Sequence, residues 1–277
     1  MTSASVPVAP EDLLKQGCER PWEVAIDPFE VAPDTYYVGN SWVGAYLLKT
    51  SEGLVLIDTT MQPQVYLVFE SIRKLGFDPR DITHILLSHG HYDHIGGAKV
   101  LKEHSGARVY MSREDWAFIS ERPEQVFNFG YPYAPLEPDG FYGDNTPLLI
   151  GDRTIRTVLT PGHTPGTTSF FFDAVGGDGT RYRCGLHGGV GLNTLADDFL
   201  SEFGFPKTVR DTYLASMLKV RGLNVEIALG SHPDQIGMLE KIGDIRPGHN
   251  PFHDPSVWTD LIDGRVAQVK KLMEDAK

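Results

Sequence analysis

The chain has 277 residues, 41% hydrophobic and 22% charged, a balance that excludes both a disordered polypeptide and one embedded in lipid. Twenty-five Lys and Arg stand against 37 Asp and Glu, a formal charge of −12, so the basic footprint of a polyanion binder is missing and nucleic acid is not an expected partner. No apolar run of about eighteen residues is present, so no membrane span is expected either.

Residues 1–34 read as an irregular N-terminal extension, rich in Pro and acids, with a short helix at 11–16; residues 35–277 read as one domain. The first ten residues lack the basic start and apolar run of a signal peptide, so the expected location is cytoplasmic. A periplasmic or secreted chain already relieved of its leader would read the same. Cys18 and Cys184 are too few for a disulfide framework.

Strands are predicted at 35–38, 44–49 and 54–58, with a hairpin turn at 51–53. Val65, Val68, Phe69, Ile72 and Leu75 lie at helical spacing over 64–75, and Gly76 ends that helix. A buried strand at 82–88 leads into a His-rich turn. A helix at 97–104 stops near Gly106, and 108–111 is a strand. Ser112 caps a helix over 114–120, with Asp115 in its first turn, where a carboxylate suits the helix dipole. Residues 122–147 hold five Pro and several aromatics without periodicity, which predicts a functional loop. Its Phe127, Phe129, Tyr131 and Tyr133 are candidates to wall a substrate, as are Tyr36 and Trp42. Strands follow at 154–159, 168–172, 181–184 and 225–229, and helices at 206–221 and 234–242. The last helix starts near Ser256, with Trp258, Leu261, Ile262, Val266, Val269 and Leu272 on one face. The whole reads as a layered α/β domain.

Ten His are present, and their arrangement matters more than their number. Three His and an Asp occupy the six positions His89-Gly90-His91-Tyr92-Asp93-His94, directly after an apolar strand. Neutral imidazole and carboxylate are zinc ligands, and Gly90 lets the backbone turn so that both flanking rings converge. His89 and His91 can then face one ion while Asp93 and His94 face a second. His163, in Thr160-Pro161-Gly162-His163-Thr164-Pro165-Gly166, and His232 follow later strands and complete two sites.

At these residues the chain resembles the metallo-β-lactamase superfamily, and most of all its three-histidine di-zinc (third) lactamase subclass. The resemblance runs from Tyr36-Tyr37-Val38-Gly39 through Leu54-Val55-Leu56-Ile57-Asp58-Thr59, the HxHxDH turn and residues 160–169 to Asn250-Pro251-Phe252. It implies an α/β fold, a four-layer αββα sandwich with metals at the edge between its sheets. It further implies two zinc ions (Zn2+) per chain, the first held by His89, His91 and His163 and the second by Asp93, His94 and His232. Asp58 would orient ligands from behind. One departure stands out: many superfamily hydrolases carry a metal-bridging Asp where this chain has Leu186, in Arg183-Cys184-Gly185-Leu186-His187. That absence is expected of the three-histidine lactamases and counts against glyoxalase II-like and lactonase-like members.

The implied activity is a zinc-dependent hydrolase of a small molecule, opening a β-lactam or similar amide by attack of a metal-bound hydroxide, with Asp93 orienting the nucleophile and accepting its proton. Antibiotic resistance is the role that goes with it. Two other readings stay open: a cytoplasmic hydrolase of another amide, lactone or ester, and an iron-binding redox relative. A nuclease is disfavoured by the charge, and no GxSxG elbow suggests a serine enzyme.

Overall fold

The computed structural model describes residues 10–275. Among these, seven strands form one sheet in chain order: β1 (Phe29–Ala32), β2 (Thr35–Tyr37), β3 (Tyr46–Thr50), β4 (Gly53–Ile57), β5 (Ile82–Leu86), β6 (Arg108–Ser112) and β7 (Gly140–Tyr142). They pair antiparallel from β1 to β4 and parallel from β4 to β7. A second sheet holds β8 (Pro147–Ile150), β9 (Arg153–Leu159), β10 (Thr168–Val175) and β11 (Arg181–Leu186) antiparallel, with β12 (Ile227–Leu229) parallel beside β11.

Leu54–Ile57 of β4 are apolar without interruption because both faces of that strand are buried. Side chains alternate across a strand, and Leu47, Leu54, Leu56 and Ile85 point out from the first sheet toward helices. Their neighbours Tyr46, Leu48, Val55, Ile57 and Leu86 point in, against Phe170, Phe172, Leu186 and Leu229 of the second sheet. Leu14 of α1 (Pro10–Glu19), Val68 and Ile72 of α2 (Val65–Lys74), Ile95 of α3 (Tyr92–Ile95), Leu101 of α4 (Ala98–Ser105) and Ile119 of α5 (Arg113–Glu121) cover the first sheet's outer face. After α6 (Asp197–Glu202), α7 (Val209–Arg221) packs Met217 and Val220 on the second sheet's outer face. Beyond α8 (Met238–Lys241), α9 (Ser256–Asp275) adds Trp258, Ile262 and Val269 there. The Trp258 ring meets Phe171 edge-on at 5.5 Å and its Nε1–H donates to the Val220 carbonyl at 3.1 Å, so the large ring is buried without an orphaned donor. The layers run helix, sheet, sheet, helix, the αββα sandwich implied by the resemblance.

Gly76 and Gly106 close their helices in the left-handed region, and Ser112 Oγ accepts the Asp115 N–H at 3.2 Å, as expected. Several elements differ from the expectation. Residues 29–32, read as irregular, form β1 on the edge of the first sheet, where a four-residue strand flanked by Pro and acids carries no periodic signal. The helix read at 11–16 spans Pro10–Glu19. The loop read at 122–147 contains a 3-10 turn at Pro123–Val126, the three-residue β7 and the start of β8. The helix read at 234–242 is broken at Gly237, whose φ of 58° lies in the left-handed region. Helix α6 was not anticipated. Among the described residues no helix is long and apolar enough to cross a membrane.

The carboxyl ends of β4, β5 and β12 and the loop joining β9 to β10 lie at one rim of the sandwich. That rim gathers side chains from positions 58 to 232 of the chain.

Candidate metal centre

The His-rich turn is fixed before it reaches its first ligand. Tyr142 Oη donates to the Leu87 carbonyl, and the Asp58 N–H bonds the Leu86 carbonyl at 3.0 Å. The single turn of α3 then presents Asp93 and His94. Thr59 bonds the His94 carbonyl through both its N–H (2.9 Å) and its hydroxyl (2.8 Å). Asp58 and Thr60 both adopt a φ of 59°, a left-handed conformation that costs a non-glycine residue on the order of 1–3 kcal/mol and persists where surrounding contacts enforce it.

The structure brings all six predicted ligands together. Ring centroids of His89, His91 and His163 lie 4.6–4.9 Å apart, and one ligand atom from each falls within 4.8 Å of the others. Asp93 and His94 form a second such group together with His89. His232 joins through its Nε2, 3.3 Å from Asp93 Oδ2 and 3.4 Å from His94 Nε2.

Four of the five rings are oriented by an oxygen at Nδ1. His89 faces Ser88 Oγ at 3.0 Å, and that hydroxyl donates onward to Asp58 Oδ2 at 2.7 Å, so the imidazole is the donor. His94 donates to Asp58 Oδ2 at 2.8 Å, His163 to the Gly191 carbonyl at 3.0 Å and His232 to the Trp42 carbonyl at 2.7 Å. Protonation at Nδ1 leaves the Nε2 lone pair free, which is how metal-binding imidazoles are prepared. Several such acceptors converging with a carboxylate in a buried space are unfavourable without a cation, so this donor set fits a metal ion.

Electrostatics agree. Burial, reinforced by neighbouring imidazoles, holds His89 and His163 well below the ordinary histidine range, and burial pushes His91 down to about 4, so these three are neutral ligands at pH 7. Burial alone would raise Asp93, but His94 and His232 outweigh it and hold the carboxyl well below its usual range. His94 differs: burial disfavours its charge, yet Asp93 and Asp58 together raise it to about 10, so in the metal-free protein its Nε2 also carries a proton that a bound ion would displace.

Leu186 packs in the core between the sheets, and Asp93 is the one carboxylate among the grouped ligands in the described residues. His187 is buried at the end of β11, its Nδ1 accepting the Gly189 N–H at 3.3 Å, outside the ligand groups. Cys184 is a buried core residue, and Tyr36 packs edge-on against Phe77. The supporting roles of Ser88, Tyr142 and the Trp42 and Gly191 carbonyls were not anticipated, because they come from backbone groups or from residues with no motif of their own. Gly189 is required by close approach, since a Cβ there would collide with the His163 ring.

Phe127 lies 5.4 Å from the His91 ring and packs with Phe129, Phe199 and Phe203 at 5.6–6.0 Å. Phe127 and Phe129 both have left-handed φ values, and Phe129 is 54% exposed. Beside them a cavity of about 280 Å³ is lined by His91, His163, Phe118, Phe199, Phe205 and Val209, among others.

Residues 43–178 match the Metallo-beta-lactamase superfamily. The chain belongs to this superfamily. Among superfamily relatives it is 39% identical over 89 residues to the hydroxyacylglutathione hydrolase GloC of Haemophilus influenzae, covering 31% of this chain and 42% of that one. It is 32% identical over 108 residues to the N-acyl homoserine lactonase AttM of Agrobacterium fabrum, covering 36% and 40%. The match thus spans about two fifths of the length of these curated relatives. Among solved structures, BJP-1, a subclass B3 metallo-beta-lactamase of Bradyrhizobium japonicum, superposes with a TM-score of 0.82 at 26% identity, covering 93% of this chain and 99% of that one. The likeness to a B3 enzyme agrees with the third-subclass resemblance of the motifs.

Proposed function

We propose that the protein is a zinc-dependent hydrolase that opens a β-lactam or a related cyclic amide bearing an apolar substituent. His89, His91 and His163 would hold one zinc ion, and Asp93, His94 and His232 a second. The observation that carries this reading is the convergence of these six side chains, four of the rings oriented through Nδ1. Zinc held there supplies Lewis acidity, polarising a carbonyl and bringing the pKa of water toward about 7.

The chain's own residues do the rest. Asp93, the one carboxylate among the grouped ligands in the described residues, would orient the attacking water and accept its proton. Phe127 and Phe129 exclude solvent from one side and offer an apolar surface to the substrate. The single grouped carboxylate and the apolar Leu186 favour an amide over the lactones and thioesters of lactonase-like and glyoxalase II-like members. The likeness to GloC and AttM supports a second reading, hydrolysis of a thioester or lactone at the same centre.

Rates on a chromogenic cephalosporin, an acyl homoserine lactone and an acylglutathione thioester separate the two. The amide reading predicts the highest kcat/KM on the cephalosporin, and a preference for either other substrate refutes it. Asp93→Ala is expected to lower kcat by about 10²–10⁴-fold with circular dichroism unchanged. Full activity in that variant would refute the role given to Asp93.

A further inference from the structure

Asp115 lies in the first turn of α5, where a carboxylate needs no explanation beyond the helix dipole. Its contacts lead elsewhere. The side chain is fully buried, and Oδ2 accepts the Gly90 N–H at 2.9 Å and the Thr164 hydroxyl at 2.7 Å. Oδ1 accepts the Gly166 N–H at 2.6 Å. Gly90 separates His89 from His91, and Thr164 follows His163. One carboxylate therefore ties together the two loops that carry the three-histidine group. Gly166 sits so close to the start of α5 that a Cβ would collide with Ser112 Oγ and the Asp115 nitrogen, so the loop is pressed against the carboxylate. Burial pushes Asp115 up to about 6 despite the opposing pull of Thr164, Gly166 and Gly90. A buried carboxylate without a cationic partner is expensive, and three donors converging on it mark the position as one where that cost is met locally.

We propose that Asp115 is a positioning residue of the metal centre: by holding Gly90, Thr164 and Gly166 on one carboxylate it sets the spacing of His89 and His91 against His163, and hence the affinity for the ion these three hold. This rests on the metal-binding reading of the site but not on the identity of any substrate.

The test is metal affinity, measured by competition with a chromophoric chelator on the full chain. In Asp115→Asn an N–H2 must face at least one of the amide donors. Affinity for one zinc equivalent is expected to fall about 10–100-fold, the range seen when groups behind metal ligands are removed, while the second is held as in the wild type. Ser112→Ala removes the cap of the same helix, so it should lower the melting temperature and leave both affinities intact. Thr164→Val deletes one of the three bonds and should weaken the same equivalent to a smaller degree, which decides the matter if Asp115→Asn does not fold. Wild-type affinities in a folded Asp115→Asn or in Thr164→Val would overturn the proposal, as would an equal loss in Ser112→Ala. A wild type that binds zinc tightly but hydrolyses nothing would sink the hydrolase reading alone.

Discussion

At His89, His94, His163 and His232 the proton sits on Nδ1 because an oxygen accepts it there, and each Nε2 is thereby left to face its neighbours. The same burial sets the pH behaviour of the metal-free protein. His91 titrates near 4 when folded and near 6.5 when unfolded, so the unfolded chain binds the extra proton between those values. Stability is then lost as pH falls from about 6.5 to 4, by on the order of 3 kcal/mol from this residue. His89 and His163 shift in the same direction. His94 acts oppositely: raised to about 10, it contributes stability that is whole below 6.5 and lost as pH rises toward 10. Denaturant midpoints of the metal-free protein should therefore fall on both sides of about pH 6.5, and His91→Gln should flatten the acid limb. An acid limb unchanged in that variant would contradict the burial argument.

Among elements, the loop and helix that carry Phe127, Phe129, Phe199 and Phe203 bear on selectivity, since their rings cluster within reach of His91. Phe127→Ala is expected to raise KM about tenfold for substrates with a bulky apolar substituent, equivalent to about 1.4 kcal/mol of lost contact, and to leave small substrates nearly unaffected. An equal change for both would mean that the phenylalanines only support the loop. Element by element, legibility from sequence follows local signal. The HxHxDH turn is contiguous and was readable at once, whereas His163 and His232 gained meaning only beside it. Asp115 looked like an ordinary first-turn carboxylate because its three donors lie on segments distant in sequence. Strand β7 has three residues, too few for alternation to show, whereas Gly237 is a local break signal of the same kind as Gly76 and Gly106 and marks where the helix read at 234–242 divides.

Over the whole molecule, the rim of the two sheets is where the chain concentrates buried imidazoles around Asp93. Two ions held there would link the turn after β5 to the β9–β10 loop and to the end of β12, segments from both sheets. Ligands that bind only the folded state add stability by mass action, so removal of zinc present at about 1,000 times its dissociation constant should cost about 4 kcal/mol for each ion. For a chain of this size that is roughly a 10 °C drop in melting temperature, measurable by calorimetry with and without chelator; no drop would mean that the rim is stable without an ion.

The most direct test joins metal content to turnover in one sample, by elemental analysis and hydrolysis of a chromogenic cephalosporin. The predicted result is two zinc ions per chain, with turnover abolished by chelation and restored by zinc. Turnover that survives complete removal of metal, or a folded protein that takes up no zinc, would contradict the account.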